Sequence, residues 1–103
     1  MKYGLRQDHI AKIKNVFSQF PEIEEAVLYG SRAMGNFKNS SDIDLVLKGE
    51  KLNTSLLHKI SLQLDDLLLP YTFDLSIYHR IDNEGLLEHI ERVGLVFYKP
   101  TQS

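Results

Sequence analysis

Apolar positions along this chain follow two rhythms, one helical and one alternating. Over 8–20, Ile10, Ile13, Val16, Phe17 and Phe20 recur at helical spacing, with Asp8 placed as an N-cap and Pro21 ending the segment. The next run, Glu25–Tyr29, is β-prone and stops at Gly30. A turn or single helical turn over 31–38 leads into the polar cluster Asn39-Ser40-Ser41. Positions 42–47 then predict a strand whose start alternates acidic and apolar residues, closed by a turn at 48–51. A second long helix, capped by Asn53 or Thr54, runs to about position 69. Leu56, Leu57, Ile60, Leu64, Leu67 and Leu68 form its buried stripe, and Pro70 terminates it. Positions 71–78 alternate strictly, with Phe73, Leu75 and Ile77 on one face and Thr72, Asp74, Ser76 and Tyr78 on the other. A third helix over 83–92 buries Leu86, Leu87 and Ile90, Gly94 caps it, and Leu95–Tyr98 makes a short final strand before Pro100.

The expected order is αβ(turn)βαβαβ, an α+β (α/β-like) fold with helices packed on a mixed sheet. The link between the first two strands is too short for a crossover helix, so that pair is expected to be antiparallel. No repeat, low-complexity tract or linker divides the chain, and its 103 residues are expected to form a single domain over 1–103. Hydrophobic residues make up 43% and charged residues 25%, values that exclude a disordered chain. The absence of cysteine excludes disulfides, thiolate zinc sites and thiol nucleophiles. A net charge of −2 argues against a broad basic surface for long nucleic acid. No apolar run approaches the about 20 residues needed to span a bilayer, and no signal-peptide core is present, so a cytoplasmic protein is expected.

Three features carry candidate chemistry. Gly30-Ser31 directly follows a strand, where a missing Cβ lets backbone approach a ligand and N–H groups face an anion. Taken singly it also reads as a plain strand-to-turn junction. Asp42 and Asp44, two apart on a strand, project from one face with Cα atoms roughly 6–7 Å apart. Two like charges so placed favour a cation between them, and magnesium suits such oxygen ligands; the plain alternative is a solvated strand end. Asp74 lies on the polar face of a strand whose other face is apolar, where an exposed edge is the plain alternative. If the two strands are neighbours, three carboxylates converge, the arrangement for metal-assisted phosphoryl or nucleotidyl transfer. Asp74 can then also accept the nucleophile's proton.

Gly30-Ser31-Arg32-Ala33-Met34-Gly35, then Ser41-Asp42-Ile43-Asp44-Leu45, then a later strand aspartate, resembles the DNA polymerase β-like nucleotidyltransferase superfamily. The likeness is strongest to its minimal nucleotidyltransferase (MNT) branch, which accompanies HEPN-domain proteins, and it covers nearly the whole chain. The resemblance implies a nucleotidyltransferase fold, with Gly30, Ser31 and Arg32 binding the triphosphate and Asp42, Asp44 and Asp74 as the metal-holding, catalytic carboxylates. The cofactor implied is one or two Mg²⁺, and the substrate ATP or another nucleoside triphosphate. The commonest form of the turn reads GSRARG; here Met34 stands at its second arginine, with Lys38 a possible substitute. The relatives further imply AMP transfer to a tyrosine of a HEPN toxin partner, with this chain as antitoxin. Larger relatives carry a helical acceptor-binding domain that this sequence does not show, so the acceptor surface is expected from another polypeptide. Two other functions fit the same residues. One is a non-catalytic module that neutralises or scaffolds a helical HEPN-type partner; the other is an antibiotic-type nucleotidyltransferase acting on a small molecule.

Several polar residues invite no chemistry. His9, His58, His79 and His89 lack metal-ligand spacing; His58 and His89 read as helix-surface or partner-facing residues and His79 as a loop residue. Asp65-Asp66 reads as a solvated helix face, and Tyr71 and Tyr78 as packing.

Overall fold

The computed structural model describes residues 1–100. Helix α1, Gln7–Ser18, buries Ile10, Ile13, Val16 and Phe17, the stripe the spacing predicts. Its N-cap is Arg6, without a side-chain cap, rather than Asp8. Asp8 lies inside the first turn, where a carboxylate favours the helix dipole, and pairs with Arg6 at 3.1 Å. Strand β1 is Glu25–Tyr29, and α2, Ser31–Met34, is one turn between left-handed Gly30 and Gly35. Strand β2 spans Ile43–Lys48, so Asp42 stands just before it.

Helix α3, Thr54–Asp65, is capped by the Asn53 side chain, which accepts from the Leu56 N–H at 2.8 Å. It ends four residues before the expected position 69. The residue ahead of Pro70 is driven out of helical backbone, and the chain prepares by unwinding through Leu68 at φ 55°. Leu68 consequently leaves the buried stripe and is 89% exposed. Strand β3, Phe73–Ile77, is shorter than the alternation suggests, because Tyr78–Arg80 closes into a 3₁₀ turn. Asn83 caps α4, Glu84–Val93, whose C-cap Gly94 has φ −62° and is not left-handed. Glycine is needed there for space, since a Cβ would collide with the Ile90 carbonyl oxygen and the Val27 side chain. Strand β4, Leu95–Tyr98, completes the fold.

The sheet order is β3-β2-β1-β4, with β2 and β3 parallel and the other two pairs antiparallel. It is the mixed sheet expected, with β1 and β2 antiparallel as the short link requires. Period-two alternation divides its side chains between two cores. Ala26, Leu28, Ile43, Leu45, Leu47 and Ile77 join the α1 and α3 stripes on one face, around Phe17, Ile60 and Leu64. On the other face Val27, Tyr29 and Val46 meet Ile90 of α4, with Leu86 and Val93 packed alongside. The carboxylates belong to this second, more thinly covered face. Among the described residues no helix is long and apolar enough to cross a membrane.

Candidate active site

Register brings the acids together. Asp44 pairs with Asp74 across the parallel β2–β3 ladder and with Tyr29 across the antiparallel β1–β2 ladder. Directly paired residues on neighbouring strands project from the same face about 5 Å apart. Asp44, Asp74 and Tyr29 therefore cluster on the α4 face. Asp74 and Asp42 are exposed, while Asp44 is half-buried between the strands. Burial first, then the charges of Asp74 and Asp42, push the Asp44 carboxyl above its ordinary value, with Arg32 opposing. The Tyr29 hydroxyl is likewise pushed up, mainly by burial and further by Asp74 and Asp44, against a lowering contact with Ser76.

Oxygen donors on adjacent strands, with mutual repulsion raising the most buried of them, suit a hard divalent cation. As the side chains stand, no three acidic or histidine groups among the described residues close around one point. The donor chemistry fits a metal, and its ligand geometry has still to be drawn together.

Gly30 joins the phosphate-type turn to these acids. Its φ of 75° and ψ of −157° turn the chain sharply out of β1, and a Cβ there would overlap Asp44 Oδ2. The α-carbon is thus packed directly on the carboxylate. Ser31 follows as the first residue of α2, where the leading N–H groups have no intrahelical acceptor. With one turn the dipole is small, so these donors and the Ser31 hydroxyl carry what anion affinity the turn has. Gly35 is a milder case: its backbone is left-handed, with φ 87° and ψ 2°, and nothing lies within 4 Å of where a Cβ would be. Gly35→Ala is expected to cost about 1 kcal/mol, the left-handed penalty alone. Gly30→Ala meets both a backbone conformation open almost only to glycine and the Asp44 carboxylate, and is expected to cost about 2 kcal/mol or more. Chemical denaturation of both variants checks this, and equal losses would remove the Gly30–Asp44 contact from the argument.

Arg32 takes a different place from the one expected. Its side chain is 2% exposed. Nε donates to the Ser41 carbonyl at 3.1 Å, Nη1 to Tyr3 at 3.0 Å, and Nη2 to Ser41 at 2.9 Å and Asn39 at 3.3 Å. The rings of Phe37 and Tyr71 lie 5.3 and 5.5 Å from its guanidinium carbon. Every guanidinium nitrogen is engaged, and the group pins the loop ahead of Asp42. Lys38, in that loop, and Met34 are both exposed.

His89, expected at a helix surface or facing a partner, accepts a hydrogen bond at Nε2 from the Gly30 N–H at 3.2 Å, and its ring meets Tyr29 edge-on at 6.1 Å. Its spacing was the available signal, since 86, 89, 90 and 93 share one helical face.

Residues 11–103 match the family model "Polymerase beta, Nucleotidyltransferase". No curated protein sequence matches the chain. Among solved structures, a toxin–antitoxin with AMP-PNP superposes with TM-score 0.70 at 20% identity, over 95% of this chain and 77% of that one. A tri-AMPylated Shewanella oneidensis HEPN toxin in complex with MNT antitoxin gives 0.68 at 17% identity, over 93% and 74%. The toxin–antitoxin MntA-HepT gives 0.67 at 18% identity, over 92% and 74%. These likenesses concern the fold. With the family model spanning nine-tenths of its length, the chain belongs to the polymerase β-type nucleotidyltransferase family.

Proposed function

We propose that this protein transfers AMP from ATP to a tyrosine hydroxyl of a HEPN-type toxin partner and so acts as an antitoxin. The observation that carries the reading is the meeting, at one end of the sheet, of the Gly30-Ser31 turn with Asp44 and Asp74 in register on neighbouring strands. The fold's likeness to MNT antitoxin complexes, one with AMP-PNP and one with an AMPylated toxin, supports the substrate and the partner.

In the proposed reaction the acceptor oxygen forms a bond to the α-phosphorus as the α–β anhydride bond breaks. Pyrophosphate leaves, and the hydroxyl proton passes to a carboxylate. Asp74, exposed beside Asp44, is the acceptor best placed for that proton. Asp42, Asp44 and Asp74 would hold magnesium, which when bound neutralises charge on the triphosphate and on the leaving pyrophosphate. The Ser31 hydroxyl and the free N–H groups of the turn orient the phosphates.

A second reading, a non-catalytic module that occludes its partner, draws support from the engaged guanidinium of Arg32. Incubation with α-labelled ATP, magnesium and a lysate of the source organism separates the two. The transfer reading expects a labelled protein with wild type and none with Asp44→Asn. If neither protein labels anything while both retain the same partner, the occlusion reading replaces it.

A further inference from the structure

The geometry points to His89 as the positioning residue of the phosphate-binding turn, holding Gly30 so that nucleotide meets a preformed set of donors. The inference rests on the nucleotidyl-transfer reading above. Gly30 is the hinge of the turn. Its backbone leaves β1 in a conformation open almost only to glycine, and its α-carbon sits on the Asp44 carboxylate. Its N–H points away from the sheet ladder, toward α4, and the hydrogen bond it makes there is to His89 Nε2. That N–H can only donate, so Nε2 presents a lone pair and the ring proton resides on Nδ1. The T-shaped contact with Tyr29 fixes the plane of the imidazole, and Tyr29 is itself buried beside the acids. One side chain thus ties α4 to the last residue of β1 and to the first residue of the turn.

Two consequences distinguish positioning from packing. The Gly30 N–H is committed to His89 and those of Ala33 and Met34 to the Gly30 carbonyl, so the backbone donors left for a phosphate are those of Ser31 and Arg32. Their direction follows from the Gly30 torsions that the hydrogen bond holds. Loss of the acceptor leaves a half-buried N–H unpaired and lets the turn relax away from Asp44. A preorganised donor set is worth most in ligand affinity, and loosening it costs binding even where the fold survives.

The test measures binding of ATP and magnesium to the full chain by calorimetry, without any acceptor, alongside thermal melting. His89→Leu is expected to weaken ATP binding about tenfold, the equivalent of one lost hydrogen bond. His89→Gln, whose amide oxygen can accept from the same N–H, is expected to stay within about twofold of wild type. Leu86→Ala, which loosens α4 without touching the turn, is expected to melt lower and bind ATP as wild type does. Equal ATP affinity in wild type and His89→Leu overturns the inference while leaving the transfer reading intact. Equal weakening by Leu86→Ala and His89→Leu also overturns it, because the effect then belongs to helix packing. Failure of wild type to bind ATP overturns both readings. Should His89→Leu not fold, the wild type decides by NMR. A scalar coupling between the Gly30 amide nitrogen and His89 Nε2 supports the inference, and a protonated Nε2 without that coupling ends it.

Discussion

Asp44→Asn is expected to abolish nucleotidyl transfer, by on the order of 10³-fold, while making the protein more resistant to heat at neutral pH without divalent cations. Both effects come from one carboxylate. Burial and the charges of Asp74 and Asp42 raise its folded-state pKa above the ordinary 3.8. An acid whose pKa is higher when folded binds more protons in the native state than in the unfolded chain. Its contribution to stability is therefore greatest below about pH 3.8 and is lost as pH rises through the folded value. At pH 7 the ionised group opposes folding. Asparagine keeps the shape and removes the charge, so the variant should melt higher at pH 7 in chelator and lose this part of the pH dependence. Magnesium is expected to raise the melting temperature of wild type more than that of the variant, since ligand binding to the native state stabilises it. Thermal scans from pH 4 to 8, with chelator and with magnesium, measure all of this. A lower melting temperature for the variant at pH 7 would mean that Asp44 holds the fold together rather than straining it.

Arg32→Met is expected to lower the thermal midpoint by roughly 10–20 °C, corresponding to a loss of about 3 kcal/mol. The guanidinium donates to the carbonyls of Tyr3, Asn39 and Ser41 from a site 2% exposed, near the rings of Phe37 and Tyr71. Charge-assisted bonds of this kind contribute about 1.5–3 kcal/mol each. Their sum is an upper bound, because the loop carbonyls regain water once the arginine is gone. Arg32→Lys should restore little, as an ammonium cannot reach three acceptors in a planar fork. Because Ser41 immediately precedes Asp42, the same variant is expected to weaken magnesium binding as well. Were Arg32 a phosphate ligand instead, methionine would spare the melting temperature and weaken ATP binding alone. That pattern would return the residue to the role its motif suggests.

How far the site was legible depended on how local its cause was. Asp44 and Asp74 on one face follow from period-two alternation, because Ile43 and Leu45, and Phe73 and Leu75, must enter the core opposite them. The antiparallel β1–β2 pair follows from a link too short to cross over. The Asn53 cap follows from a side chain that accepts from an N–H three residues on. Arg32 was not legible in this way, because the carbonyls it satisfies belong to the first residues of the chain and to a loop with no periodic pattern. Helix α3 ends earlier than its pattern implies because the leucines beyond Asp65 keep helical spacing, whereas Pro70 governs the backbone before it.

By itself the sequence determined the order of elements, the two apolar faces of the sheet, and the residue types able to hold a metal and a triphosphate. These depend on spacing of a few residues and on side-chain chemistry, which a linear chain displays. It took the folded chain to set Asp44 and Asp74 in register, to rest the Gly30 α-carbon against Asp44, to bury Arg32 and to bring His89 of α4 to the turn. Each of those contacts joins segments tens of residues apart or depends on which way a turn bends. Strand register and helix docking, set by burial of the whole core, place them.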